Sequence, residues 1–161
     1  TRKPVVALTV GWIDWMPDLN MRADLTLKCW TRTEIGGHRL PVKCRDEDAV
    51  ATVVRAMNRL NRYVLKNERR DRRLSAVAFL ERGPKGNRPH IHALIERPPN
   101  ISVQDFARWM RKAWTDQPFG HRQMRIEAIR SQAASWFYDA KGGIQAMVYF
   151  HKDNNEHKEH N

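Results

Sequence analysis

Short blocks of apolar residues alternate along this chain with turn-forming residues, and the spacing within each block predicts an element. Pro4 to Val10 is apolar and β-branched and predicts a first strand, with a loop from Gly11 to Asn20. Ala23 to Trp30 alternates apolar and polar side chains, which predicts another strand, and Gly36-Gly37 marks a turn. Asp46-Glu47-Asp48 places acids where a helix N-terminus favours negative charge. Val50, Val53, Val54, Met57, Leu60, Val64 and Leu65 follow at helical spacing, giving a helix that runs to about Arg69. Ser75 to Arg82 and Pro89 to Glu96 predict two strands joined by the turn Gly83-Pro84-Lys85-Gly86-Asn87-Arg88. Ser102 with Asp105 forms a capping-box pattern that opens a helix with an apolar stripe of Phe106, Trp109, Met110 and Ala113. Gln123 to Ile129 is a further strand. A helical or mixed segment follows, broken by Gly142-Gly143, and Ile144 to about Asp153 is expected as a last helix.

Strands and helices mixed with hairpins predict an α+β domain with a mainly antiparallel sheet covered by helices. No repeat, low-complexity tract or linker divides the chain, so residues 1–161 are expected to form one domain. Its start carries neither Met nor a signal-peptide pattern, which fits a domain trimmed from a longer protein. With 41% hydrophobic and 29% charged residues, the composition is that of a globular domain rather than a disordered chain. No apolar run is long enough to cross a bilayer. Cys29 and Cys44 stand too far apart for a zinc knuckle and read as reduced structural thiols of a cytosolic protein.

Charge narrows the partner. A net charge of +11 and a pI near 10.3 predict attraction to a polyanion, because each neutralised phosphate releases condensed counterions. An anionic membrane would call for a basic amphipathic segment with an exposed apolar face, or a lipidation motif; the motif is absent and the apolar faces read as core. Arg55, Arg59 and Arg62 on the long helix, with Lys85 and Arg88 at the strand turn, are the candidate contacts to nucleic acid. Each alone reads first as part of a solvated surface.

The most specific chemistry lies in Arg88-Pro89-His90-Ile91-His92-Ala93-Leu94-Ile95. Residues two apart on a strand project from one face, so His90 and His92 point together and Ile91, Ala93 and Ile95 point the other way. If the turn centres near Lys85-Gly86, Glu81 falls opposite His90; a two-residue change of register puts it opposite His92. In either register two imidazoles and a carboxylate gather, a set suited to a divalent metal with open positions for phosphate and water. The bland alternative is a surface hydrogen-bond cluster with Arg88 or Glu96.

In the expected last helix, Tyr149 and Lys152 are three residues apart and share a face. A phenol titrates near pH 10, so it becomes an effective nucleophile only with assistance from a metal-held phosphate and a nearby ammonium. Tyr138, with Lys141, has the same spacing and is the alternative nucleophile, although Gly142-Gly143 would fray a helix there.

Together these residues resemble the single-tyrosine rolling-circle replication initiators of the HUH endonuclease superfamily. Leu25-Thr26-Leu27-Lys28 is similar to the first family motif, with Thr26 and Lys28 as candidate DNA contacts; His90-Ile91-His92 is similar to the second, with Glu81 as the acidic ligand. Tyr149-Phe150-His151-Lys152 is similar to the third, in which tyrosine attacks and lysine stabilises the phosphate. The resemblance implies a five-stranded, ferredoxin- or RRM-like sheet and Mn²⁺ or Mg²⁺. It further implies nicking and joining of single-stranded DNA, at an origin hairpin, through a 5′-phosphotyrosine. It also implies a replicative helicase as partner, from the host or as an appended domain, and a cytoplasmic location, or the nucleus of a host cell for a eukaryotic virus. No phosphate-binding loop of a helicase is present in this chain.

Two relatives share the His-hydrophobic-His motif. Single-tyrosine transposases usually place glutamine after the tyrosine, and relaxases usually carry an N-terminal tyrosine and three histidines; this sequence departs from both patterns, and an HUH transposase or relaxase stands as an alternative function. The non-enzymatic alternative is an RRM-like module whose Trp12, Trp15 or Trp30 would stack on bases.

Overall fold

The computed structural model of the chain describes residues 19–66, 73–82, 88–129 and 144–150, the last as backbone. The expected strand Pro4 to Val10, Trp12, Trp15, the turn with Lys85, Tyr138 and Lys152 lie outside the described residues.

Strand β1 (Leu19–Leu27) is followed by a hairpin of β2 (Trp30–Ile35) and β3 (His38–Lys43). Helix α1 (Asp46–Leu65), β4 (Ala76–Glu81), β5 (His90–Glu96), α2 (Val103–Thr115), β6 (Gly120–Ala128) and β7 (Ile144–Phe150) complete the order. The main sheet runs β6-β1-β5-β4-β7 and every pairing in it is antiparallel. Strands β1, β4, β5 and β6 with the two helices therefore have the ferredoxin-like β-α-β-β-α-β arrangement, and β7 adds a fifth strand along β4. The β2–β3 hairpin, inserted between β1 and α1, forms a separate two-stranded ribbon.

One face of the sheet carries the helices. Met21, Ala23 and Leu25 of β1, Ala76, Ala78 and Leu80 of β4, and Ile91, Ala93 and Ile95 of β5 join Val53, Met57 and Leu60 of α1 and Phe106, Met110 and Trp114 of α2 in one buried core. The period of 3.6 in the helices and of 2 in the strands, legible in the sequence, is what turns these side chains inward. Asp46, Glu47 and Asp48 open α1 as expected, and Ser102 Oγ accepts the N–H of Asp105 (3.0 Å) to open α2. Helix α1 stops at Leu65, short of Arg69.

The last element departs from expectation. Ile144–Phe150 is a strand, not a helix. A short apolar run rich in β-branched and aromatic residues fits either period, and the open edge of β4 offers it a ladder. Tyr149 pairs with Val77 there. Of the expected Tyr149 and Lys152 pair, only Tyr149 lies within the described residues, and it stands on a strand where a helix was expected.

Two local features fix β1 beside the site. The register of β1 against β6 slips between Leu25 and Leu27, and the Thr26 carbonyl at the slip accepts the indole N–H of the buried Trp114 (3.0 Å). At the start of β6, a Cβ on Gly120 would lie 1.9 Å from the Trp114 carbonyl oxygen, a backbone atom that cannot swing away. Gly120→Ala is therefore expected to cost about 3 kcal/mol, the upper end of overpacking effects, and to lower the thermal midpoint by about 6–12 °C. Calorimetry of the variant checks this, and an unchanged midpoint would show that the β6 start can shift without cost.

Candidate metal centre and nucleic-acid face

The face of the sheet away from the helices carries the chemistry. β5 lies between β1 and β4, with His90 opposite Thr26 and Glu81, and His92 opposite Asp24 and Phe79. Directly paired residues share a face, so Asp24, Thr26, Glu81, His90 and His92 form one patch across three adjacent strands. Of the two registers open to the hairpin, Glu81 against His90 is the observed one.

The contacts sharpen this patch. Glu81 reaches diagonally to His92, with Oε2 2.5 Å from Nε2, while Asp24 Oδ1 lies 2.8 Å from His92 Nδ1. Each nitrogen of the His92 ring thus faces a carboxylate. Arg22 braces Asp24 from the far side through Nη2 (3.1 Å). His90 is turned differently: its Nδ1 lies 3.3 Å from the hydroxyl of the buried Thr26, and its ring centroid is 6.5 Å from that of His92. Thr26, expected as a DNA contact, is buried beside His90. Neither Arg88 nor Glu96 joins the cluster: Glu96 accepts the N–H of Ser75 (3.0 Å), and Arg88 lies 3.0 Å from His121 Nε2.

Electrostatics follow the contacts. Burial opposes the charged form of His92, but hydrogen bonds and negative charge from Asp24 and Glu81 outweigh it and raise its pKa above the ordinary 6.5. Burial would likewise raise Asp24, yet hydrogen bonds from His92 and Arg22, with their charge, hold its carboxyl below the ordinary 3.8. Linkage sets the sign of the pH effect. The His92 contribution to stability is full below 6.5 and is lost as pH rises through its raised pKa; that of Asp24 is full above 3.8 and is lost as pH falls through its lowered one. The thermal midpoint of the metal-free chain is thus expected to fall as pH climbs above 6.5, with His92→Gln removing that part of the slope. Identical pH profiles for the two proteins would contradict the assignment.

Among the described residues, no group of three or more His, Cys, Asp or Glu side chains surrounds a common point as a formed metal centre. Glu81 and His92 are bonded to each other instead. The donor chemistry still fits a divalent cation: imidazole and carboxylate converge, and with Nδ1–H given to Asp24 the Nε2 atom would be the one to coordinate. Between Nε2 and Glu81 a cation and a proton are alternatives. Asp24 is the member of the site that sequence reasoning did not supply.

A basic cluster flanks the His90 end. His121, at the second position of β6, has its pKa lowered by desolvation and by the positive charges of Arg88, Arg122 and Lys28. Lys28 and Arg88, both expected as DNA contacts, are therefore brought together, with Arg122 added. Arg55 and Arg59 are not part of this face. They belong to the helix layer, where Arg55 Nε donates to Gln117 Oε1 (3.2 Å) and Arg59 pairs with Asp116 (2.8 Å), tying α1 to the end of α2. Arg62 is exposed on the same helix. Cys44 N donates to Cys29 O (2.8 Å), so the thiols stand opposite each other at the hairpin base, both free; burial pushes Cys44 up to about 11, which keeps it unreactive.

No protein-family model, curated protein or solved structure matches this chain. No helix among the described residues is long and apolar enough to cross a membrane.

Proposed function

We propose that this domain is a divalent-metal-dependent endonuclease that nicks and rejoins single-stranded DNA through a tyrosine, in the manner of the HUH replication initiators it resembles. The observation that carries the reading is His92 held between Asp24 and Glu81 on the helix-free face of a ferredoxin-like sheet. Glu81, His90 and His92 would hold Mn²⁺ or Mg²⁺, which supplies Lewis-acid polarisation of the scissile phosphate. Asp24 keeps His92 in the tautomer that offers Nε2, and Thr26 orients His90. Lys28, Arg88 and Arg122 supply positive charge for the neighbouring phosphates.

In the covalent step the tyrosine oxygen bonds to phosphorus and loses its proton to solvent, while the bond to the 3′-oxygen breaks and that oxygen takes a proton from solvent to leave as a 3′-hydroxyl. The 5′-phosphotyrosine remains a diester, so a returning hydroxyl can reverse the step and join strands. Tyr149 is the proposed nucleophile and Tyr138 its alternative. The cellular setting that goes with this reading is replication of a plasmid, phage or viral origin hairpin, aided by a helicase.

The test is incubation of closed circular single-stranded DNA with the domain and Mn²⁺. The reading expects linear product. An intact circle bound by protein would make the domain a binding module instead.

A further inference from the structure

The β2–β3 ribbon stands apart from the chemistry of the sheet. Its residues are exposed on both faces except for the half-buried Thr31 and Val42, and Val42 alone reaches the core. Trp30 (57% exposed), Ile35 (54%) and Leu40 (44%) are the exposed large hydrophobic side chains among the described residues, and all three belong to it. Such a concentration on one projecting element is unusual for a surface that meets only water. Gly36 and Gly37, with φ of 57° and 80°, make the two-residue turn that keeps the strands paired to the tip, from Trp30↔Lys43 to Ile35↔His38.

Ile35 and Leu40 lie on one face of the ribbon and Trp30 on the other, and charge identifies what would cover the face of Trp30. Arg32, Arg39 and Lys43 share one face with Trp30, Pro41 and the single acid Glu34. The ribbon begins two residues after Lys28, one of the cations beside His121. A protein partner with an acidic surface would satisfy the charge, but shape favours a groove. Six residues per strand extend about 20 Å, and a two-stranded ribbon exposed on both faces has the cross-section that the major groove of duplex DNA admits. A single strand would instead need a row of stacking rings, and Trp30 is the ribbon's one Trp, Tyr or Phe.

We infer that the β2–β3 ribbon is a duplex-DNA docking element, with Arg32, Arg39 and Lys43 contacting phosphates and Trp30 packing at its root. This role is independent of the sheet chemistry and would hold even if the domain cuts nothing.

The test is fluorescence anisotropy of the whole chain, in chelator, with a mixed-sequence duplex and with a single strand of the same length, across a range of salt. The triple variant Arg32→Ala, Arg39→Ala, Lys43→Ala removes only exposed side chains. It is expected to weaken duplex binding at least tenfold and to reduce the salt slope by about 3, near 0.9 for each phosphate that is no longer neutralised. The weakening on the single strand should be several-fold smaller. Trp30→Ala should weaken duplex binding without changing the salt slope. Unchanged duplex affinity, equal weakening on both DNAs, or no duplex binding by the wild-type chain would each overturn the inference.

Discussion

Tyr149→Phe is expected to lower formation of the covalent protein–DNA adduct by about 10³-fold or more, because a phenylalanine ring carries no oxygen to bond to phosphorus. Denaturing electrophoresis after incubation with single-stranded DNA and Mn²⁺ reads the adduct directly. Tyr138→Phe is expected to retain it. The two variants must be made together because Tyr149 occupies a strand and not the expected helix. Its pairing with Val77 puts that position in the row of Phe79 and Glu81, on the helix-free side of the sheet. Val77 and Glu81 are four positions apart along β4, about 13 Å at the usual strand rise. DNA laid across the sheet would have to bring its phosphate between these levels. Loss of the adduct in Tyr138→Phe, with retention in Tyr149→Phe, would transfer the nucleophile to residue 138.

The second large effect concerns the carboxylate–histidine array. Glu81→Ala and His92→Ala are expected to lower cleavage by about 10²–10³-fold, the usual consequence of losing a main electrostatic stabiliser of the transition state. Asp24→Asn should cost less, about 10–100-fold, because Asp24 contacts His92 Nδ1 and would reach a metal only through that ring. Its signature is a parallel 10–100-fold loss of Mn²⁺ affinity in calorimetry. A loss of activity at unchanged Mn²⁺ affinity would mean that Asp24 serves the fold or the DNA instead.

What was legible in the sequence and what was not divides by chain distance. Glu81, His90 and His92 lie on two strands joined by one turn, so local geometry fixes which residues oppose, and the observed register agrees. Asp24 is 68 residues from His92, and its place depends on β1 pairing with β5, which no local pattern specifies. In sequence it is one more polar residue in an alternating strand. The strand character of β7 and the contacts of Arg55 and Arg59 escaped for the same reason. A short apolar run adopts the period its neighbour offers, and a charged helix face reads as solvated until Asp116 and Gln117 are seen beside it. Cys29 and Cys44 are a milder case: only the ribbon's register brings them opposite each other.

The central claim is that this sheet face cleaves single-stranded DNA with a divalent metal held by Glu81, His90 and His92. It is tested most directly by comparing adduct formation of the wild-type chain in Mn²⁺ and in chelator on the same denaturing gel. The account predicts a covalent adduct in Mn²⁺, none in chelator, and recovery when Mn²⁺ is restored. An adduct of equal yield in chelator would contradict the metal site, and no adduct under either condition would contradict the cleavage.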